Sequence, residues 1–195
     1  MLNQYAEAAD AWHESIDLLP TRTAYTNTGL ALYYSGQFEE AAAMQEKATE
    51  LAPNDHRAWG RLGEAQRHTA EQQDKARETF NHAAELALEL LKVNDRDWQT
   101  KGLLAVYLVY AGQFADAEKF ITEALEESER RSEVLFYAAL VQLQLSNEAS
   151  SLDLLEEAID QNHDYRHLVA TNPDLVKLAD HARFQAIIAP QPKGR

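Results

Sequence analysis

The chain has 195 residues and a formal net charge of −14, from 18 Lys and Arg against 32 Asp and Glu. Phosphates need clustered cations, so this balance excludes a general nucleic-acid binder or a binder of anionic membranes. With no cysteine there is neither disulfide nor thiol chemistry. No apolar run reaches the roughly 18 residues of a membrane span, and the N-terminus lacks the charged start and apolar core of a signal peptide. The compartment stays open, with a soluble cytoplasmic chain favoured.

Read in chain order, the segments are helical. Residues 1–20 place Tyr5, Ala8, Trp12 and Ile16 on one helical face, ended by Pro20. A second helix is expected near Thr23–Ser35, with small Gly29 where two helices approach closely. Gly36 turns the chain, and Phe38 opens a helix carrying Ala41, Met44, Ala48 and Leu51 on one face, stopped by Pro53. The tripeptide Gly36-Gln37-Phe38 recurs as Gly112-Gln113-Phe114, and each copy is followed by Ala (Ala41, Ala117). A weaker copy is Asn3-Gln4-Tyr5. This pattern signals helix-turn-helix repeats with a period near 34 residues.

Trp59, Leu62 and Gly63 open the next pair, with one extra residue in the turn around Thr69–Asp74. Its second helix carries Ala76, Phe80 and Ala83, and continues through Leu86, Leu90 and Leu91 with no breaker, so it should reach at least Leu91. Further pairs are expected near Asp97–Ala111 with Phe114–Ser128, and near Ser132–Leu145 with a helix through Leu152, Leu155, Ala158 and Ile159. The last pair has Ser146-Asn147 in place of Gly-Gln. At least nine helices and no sheet follow. Beyond them Asn172 is an N-cap and Pro173 a first-turn proline. There Leu175, Leu178, Phe184, Ile187 and Ile188 would cover the open end of the last pair, as a terminal cap must.

These residues resemble the tetratricopeptide repeat (TPR) family over roughly Tyr5–Asp160. Gln45 stands where that family usually has an aromatic, and Ser151 where Ala is usual. The resemblance implies an all-α solenoid of antiparallel helix pairs with a non-repeat helical C-terminal cap. The array spans residues 1–160, as a half repeat 1–20 and repeats near 22–55, 56–95, 97–131 and 132–160. The cap and a short tail span 161–195. Residues 1–20 match only the second helix of a repeat, so their apolar face lacks its usual neighbour and could pair two copies into a homodimer. The string NPDLVKLADHARFQAI, residues 172–187, looks like tails that close TPR arrays in bacterial serine/threonine kinases and winged-helix regulators.

In this family the first helix of each repeat lines a concave groove that binds protein or peptide. Mapped onto this chain, the resemblance gives partner-binding residues Asn27, Tyr33, Tyr34, Arg57, Arg61, Glu64, Arg67, Val106 and Tyr110. Arg57 and Arg61 are four apart and share a helix face, so together they could grip a carboxylate or phosphate. Alternatively they pair with local acids such as Glu64, or face water. Asn27, Arg57 and Arg61 also match the spacing with which TPR co-chaperones grip a partner's C-terminal carboxylate. Tyr33 and Tyr34 could hold apolar side chains of a peptide, or pack between helices. Phe136 and Tyr137 are expected to be covered by the C-terminal tail.

No catalytic set emerges. His163 and His167 are four apart without a third ligand, and there is no HExxH, GxSxG, P-loop or dinucleotide glycine pattern. The reading is a non-enzymatic protein-interaction module, without metal or cofactor, within a larger signalling or regulatory protein. Its partner carries an acidic group or a C-terminal carboxylate. The rival readings are a sensory or recruitment domain of a kinase whose catalytic part lies upstream, and a structural dimerisation module.

Overall fold

A computed structural model describes residues 2–189, except for some side chains of the first helix. Eleven α-helices and one 3₁₀ segment occur among the described residues, with no strand. They are α1 (Leu2–Leu18), α2 (Arg22–Tyr34), α3 (Phe38–Leu51), α4 (His56–Arg67), α5 (Gln73–Leu91) and α6 (Trp98–Ala111). There follow α7 (Phe114–Glu127), α8 (Ser132–Gln144), α9 (Glu148–Gln161), α10 (Tyr165–Thr171), the 3₁₀ segment Pro173–Leu178, and α11 (Ala182–Ile188). Two compact units result: Met1–Asp95 with Tyr110–Gln113, and Arg96–Val109 with Phe114–Arg195.

In the first unit, consecutive helices pack in pairs from α1 to α5. Gly36 has φ +83° and closes α2 with a two-bond motif. Gly36 N–H donates to the Tyr33 carbonyl at 3.0 Å, and Gln37 N–H to the Leu32 carbonyl at 2.9 Å. The left-handed residue lets the chain reverse while both terminal carbonyls stay bonded. Small residues then allow the helices to close. A Cβ on Gly29 would lie 2.4 Å from Gln45 Nε2, and one on Gly63 would lie 2.8 Å from a ring carbon of Phe80. Ala41, Ala48, Ala83 and Ala87 are fully buried.

Helix α5 reaches Leu91, as the missing breaker implied. Of its apolar extension only Leu91 is buried; Leu90 is 48% exposed and Val93 88%. The face of α1 is partly covered by α2: Ala9 is buried and Tyr5 stacks on Tyr34 with ring centroids 5.3 Å apart, while Trp12 remains 37% exposed. The following helix thus covers part of this face, and Trp12 keeps the surface through which two copies were expected to pair.

In the second unit, α8 and α9 carry the core. Ser146 takes the glycine place with φ +64°, and its loop repeats the same two bonds, Ser146 N–H to the Leu143 carbonyl and Asn147 N–H to the Gln142 carbonyl. Ser151, in place of Ala, is fully buried but donates to the Ala139 carbonyl at 2.9 Å. Asn172 caps the 3₁₀ segment by accepting from Asp174 N–H at 2.8 Å, with Pro173 at its first position. Leu175, Leu178, Phe184 and Ile187 are buried against Phe136, Leu140 and Leu143 of α8 and Leu155 and Ile159 of α9. The C-terminal segment therefore covers this end of α8, as expected.

Candidate functional site

Helices α2 and α4 of the first unit run parallel in a register of 33–35 residues. Arg22, opening α2, pairs with Asp55, the N-cap of α4, at 2.7 Å. At the other end the Tyr33 hydroxyl lies 3.4 Å from His68 Nε2. Between these ties, α2 presents half-buried Asn27, Leu30 and Tyr34, while α4 presents exposed Arg57 and half-buried Arg61, Glu64, Arg67 and His68. Residues 57, 61, 64 and 68 follow i, i+4, i+7, i+11 and form one stripe.

The aromatic residues expected here divide by depth. Tyr33 is 5% exposed and is enclosed by Tyr34, Phe38 and His68 at ring distances of 5.3–5.6 Å. It belongs to the packing between repeats, and the expectation that it faces a partner is corrected. Tyr34 keeps surface but already stacks on Tyr5. Tyr110 holds the Arg67 guanidinium 4.0 Å above its ring and lies 5.1 Å from the Phe80 ring. This cation–π contact fixes Arg67 in place. Val106, in the second unit, is 1% exposed. Its place on the helix put it on the expected face, but neighbouring side chains cover it, so it offers no partner contact.

Arg57 and Arg61 differ from seven other cations of this chain. Arg22, Lys47, Lys75, Lys92, Lys101, Arg130 and Arg183 each meet a carboxylate. The side chains of Arg57 and Arg61 have no ion pair or hydrogen bond among the described residues; only the Arg57 backbone N–H is engaged, by Asp55 at 3.0 Å. The alternative in which they pair with Glu64 does not occur. Two unneutralised guanidiniums on one face make the stripe locally positive on an acidic chain.

Two features of the second unit escaped the sequence. Lys101 on α6 is 7% exposed and bonds Glu123 at 3.0 Å and Glu127 at 2.7 Å, both on α7. Burial works against its charge, but the hydrogen bonds to Glu127 and Glu123 outweigh it and hold its pKa above the usual lysine value. Nearby, Glu133 of α8 accepts from Gln99 Nε2 at 3.1 Å and from the Tyr137 hydroxyl at 3.0 Å. Burial first, then the Glu133 charge, push the Tyr137 phenol well up, so it stays a hydrogen-bond donor. Nothing in local pattern announces either group, because Lys101 lies 22 and 26 residues from its two acids and Gln99 lies 34 residues from Glu133.

No group of three or more His, Asp or Glu among the described residues could hold a metal ion. No described helix is long and apolar enough to cross a membrane. Two family models described as tetratricopeptide repeat match the chain, over residues 23–55 and 103–165. In these two stretches the chain carries tetratricopeptide repeats. The thermophilic TPR protein TTC0263 of Thermus thermophilus has the same fold, with a TM-score of 0.61 at 17% identity over 90% of this chain and 92% of that one. YrrB, described as a TPR protein with an unusual peptide-binding site, is 21% identical over 83% of this chain and 80% of that one, with a TM-score of 0.45. Pseudomonas aeruginosa pilF is 20% identical over 88% and 78%, with a TM-score of 0.49. No curated protein sequence matches. The TPR fold points to a protein–protein interaction module.

Proposed function

We propose that the stripe formed by Asn27, Arg57, Arg61 and Glu64 binds an extended, acidic segment of a partner protein. The observation that supports this is the pair of arginines without an ion pair, on a chain where seven other cations each meet a carboxylate. Each guanidinium offers a planar fork that matches a carboxylate. Four residues apart on a helix, the two can take successive acidic groups or one terminal carboxylate. Asn27 adds a side-chain donor and acceptor on the neighbouring helix, and Leu30 gives an apolar contact beside it. Arg67 stays on Tyr110 as part of the frame.

Fluorescence polarisation tests this with a labelled acetyl-(Glu-Ala)₄ probe, with either a free or an amidated C-terminus. We expect salt-sensitive binding that weakens about tenfold or more in Arg57→Glu/Arg61→Glu, since each charge-assisted bond contributes on the order of 1.5–3 kcal/mol. Preference for the free acid would identify a terminal carboxylate as the ligand. Equal binding by the wild-type chain and the charge-reversed variant would refute the site.

A further inference from the structure

In the second unit an open cleft of about 410 Å³ lies among the starts of α6, α8 and α10. Trp98 and Gln99 line it from α6, Arg131, Ser132 and Glu133 from the start of α8, and Tyr165 from α10, with the Gln161 and Asn162 amides at the end of α9. Its carboxylate is already aimed. Gln99 and Tyr137 each donate to a different oxygen of Glu133, which fixes the group and leaves a lone pair on each oxygen. No Lys, Arg or His neutralises Glu133 among the described residues. Arg131, two residues earlier, lies over the Trp98 ring at 5.6 Å instead. The Tyr165 ring packs 6.1 Å from Phe136, and its hydroxyl makes no hydrogen bond among the described residues.

A half-buried, oriented carboxylate without an ion pair, in a cleft it shares with two aromatic rings and two side-chain amides, is a receptor for a planar cation. We infer that this cleft binds an arginine side chain of a partner polypeptide, its guanidinium forked onto Glu133 and flanked by Trp98 and Tyr165. Arginine suits the cleft better than lysine because its donors lie in a plane. The guanidinium can meet two carboxylate oxygens while stacking on a ring, and it sheds water more readily than an ammonium. The Tyr165 hydroxyl, and the second lone pair of Gln161 Oε1, which already accepts from Ser132 Oγ at 3.3 Å, remain for the outer N–H groups. The chain's charge of −14 draws such a segment in. This site lies in the other unit from Arg57 and Arg61, and it stands or falls independently of the acidic-segment reading.

The test is NMR titration of the full chain, following the Trp98 indole N–H, with Nα-acetyl-arginine methylamide as probe. The neutral isostere Nα-acetyl-citrulline methylamide and the anionic Nα-acetyl-glutamate methylamide serve as comparisons. We expect saturable shifts at Trp98 for arginine, with citrulline binding about tenfold more weakly, the scale of losing a charge-assisted pair. Glu133→Gln retains size and the bond from Tyr137 but removes the charge, and should abolish the difference between arginine and citrulline. Tyr165→Phe retains the ring and should weaken arginine binding only a few-fold, giving a second reading that does not touch the Glu133 network. No Trp98 shift with arginine, equal shifts with citrulline, a stronger response to glutamate, or unchanged arginine binding in Glu133→Gln would each overturn the site.

Discussion

The Lys177 ammonium donates to the main-chain carbonyl of Leu143 at 2.8 Å. Leu143 lies in the last turn of α8, where a helix leaves its carbonyls without internal partners. A cation there also meets the negative end of the helix dipole. One side chain therefore binds the non-repeat C-terminal segment to the last repeat, above the apolar contacts of Leu175 and Leu178.

Deleting residues 167–195 should lower stability by several kcal/mol. Leu175, Leu178, Phe184 and Ile187 are each 1–7% exposed, and full burial of such a side chain contributes roughly 1.5–3 kcal/mol. Lys177→Met removes the carbonyl bond and keeps an apolar stem, and should cost about 1 kcal/mol. Denaturant midpoints of the three chains rank these effects. A truncated chain with the wild-type midpoint would rule out the capping role.

Ser146→Gly should stabilise the protein. Ser146 is exposed and holds φ +64° in a loop whose counterparts in two other repeats, Gly36 and Gly112, are glycines at +83° and +86°. A side-chain-bearing residue in the left-handed region carries a penalty of roughly 1–2 kcal/mol, partly offset by glycine's greater freedom when unfolded. We expect a net gain of about 0.5–1 kcal/mol by chemical denaturation. An unchanged or lower midpoint counts against this account of the turn.

These loops show why much of the fold could be read directly. Gly36, Gly112, Pro53 and the Asn172–Pro173 pair act through their own backbone, so their meaning is local and survives without knowledge of neighbours. The length of α5 followed in the same way from the absence of a breaker. Depth was harder. Tyr33 and Tyr34 are adjacent on one helix, yet Tyr33 is enclosed by Phe38 and His68 while Tyr34 keeps surface. Val106 fits an expected face and is buried by side chains that helical spacing does not reveal. The Trp98, Glu133 and Tyr165 cleft depends on three helices meeting across 67 residues, and no window of sequence contains it.

Lys101→Met should destabilise the second unit by about 2 kcal/mol, less than the roughly 3–5 kcal/mol of a fully buried broken pair, because Glu123 and Glu127 keep some access to water. The loss leaves two carboxylates facing each other one helical turn apart. The lysine pKa is raised in the folded state, so its contribution is complete below the ordinary lysine value and is lost as pH rises through the raised one. Wild-type stability should accordingly decline in the alkaline range, while the Met variant lacks that component. Parallel pH–stability curves for the two chains would contradict this.

Gly63→Ala sets helix propensity against packing. In an open helix the change gains roughly 1 kcal/mol. Here the new Cβ would lie 2.8–2.9 Å from three ring carbons of Phe80, which is 1% exposed and has no room to withdraw. Overpacking of this kind costs roughly 1–3 kcal/mol, so the net effect should be a loss of about 1 kcal/mol in thermal unfolding experiments. A raised melting temperature would show that the ring yields.

The interiors around α2–α5 and around α8–α9 are chemically unequal. Around α2–α5 the helices enclose Thr26, Gln45 and Gln66, each at most 6% exposed, and Thr26 Oγ1, Gln45 Oε1 and Gln66 Nε2 have no hydrogen-bond partner among the described residues. The cluster joining α8, α9 and the C-terminal segment is built of Phe, Leu, Ile, Val and Ala. Unsatisfied buried polar atoms lower the cost of admitting water, and repeat arrays transmit stability only from neighbour to neighbour. Cooperativity should therefore be partial. Main-chain amides of α3 and α4 should exchange their hydrogens with solvent at lower opening energy than those of α8 and α9, and calorimetric enthalpy should exceed the van't Hoff value. A melting temperature for this chain would then average over more than one event, and the stripe proposed to bind a partner on α2 and α4 would lie on the part that loosens first.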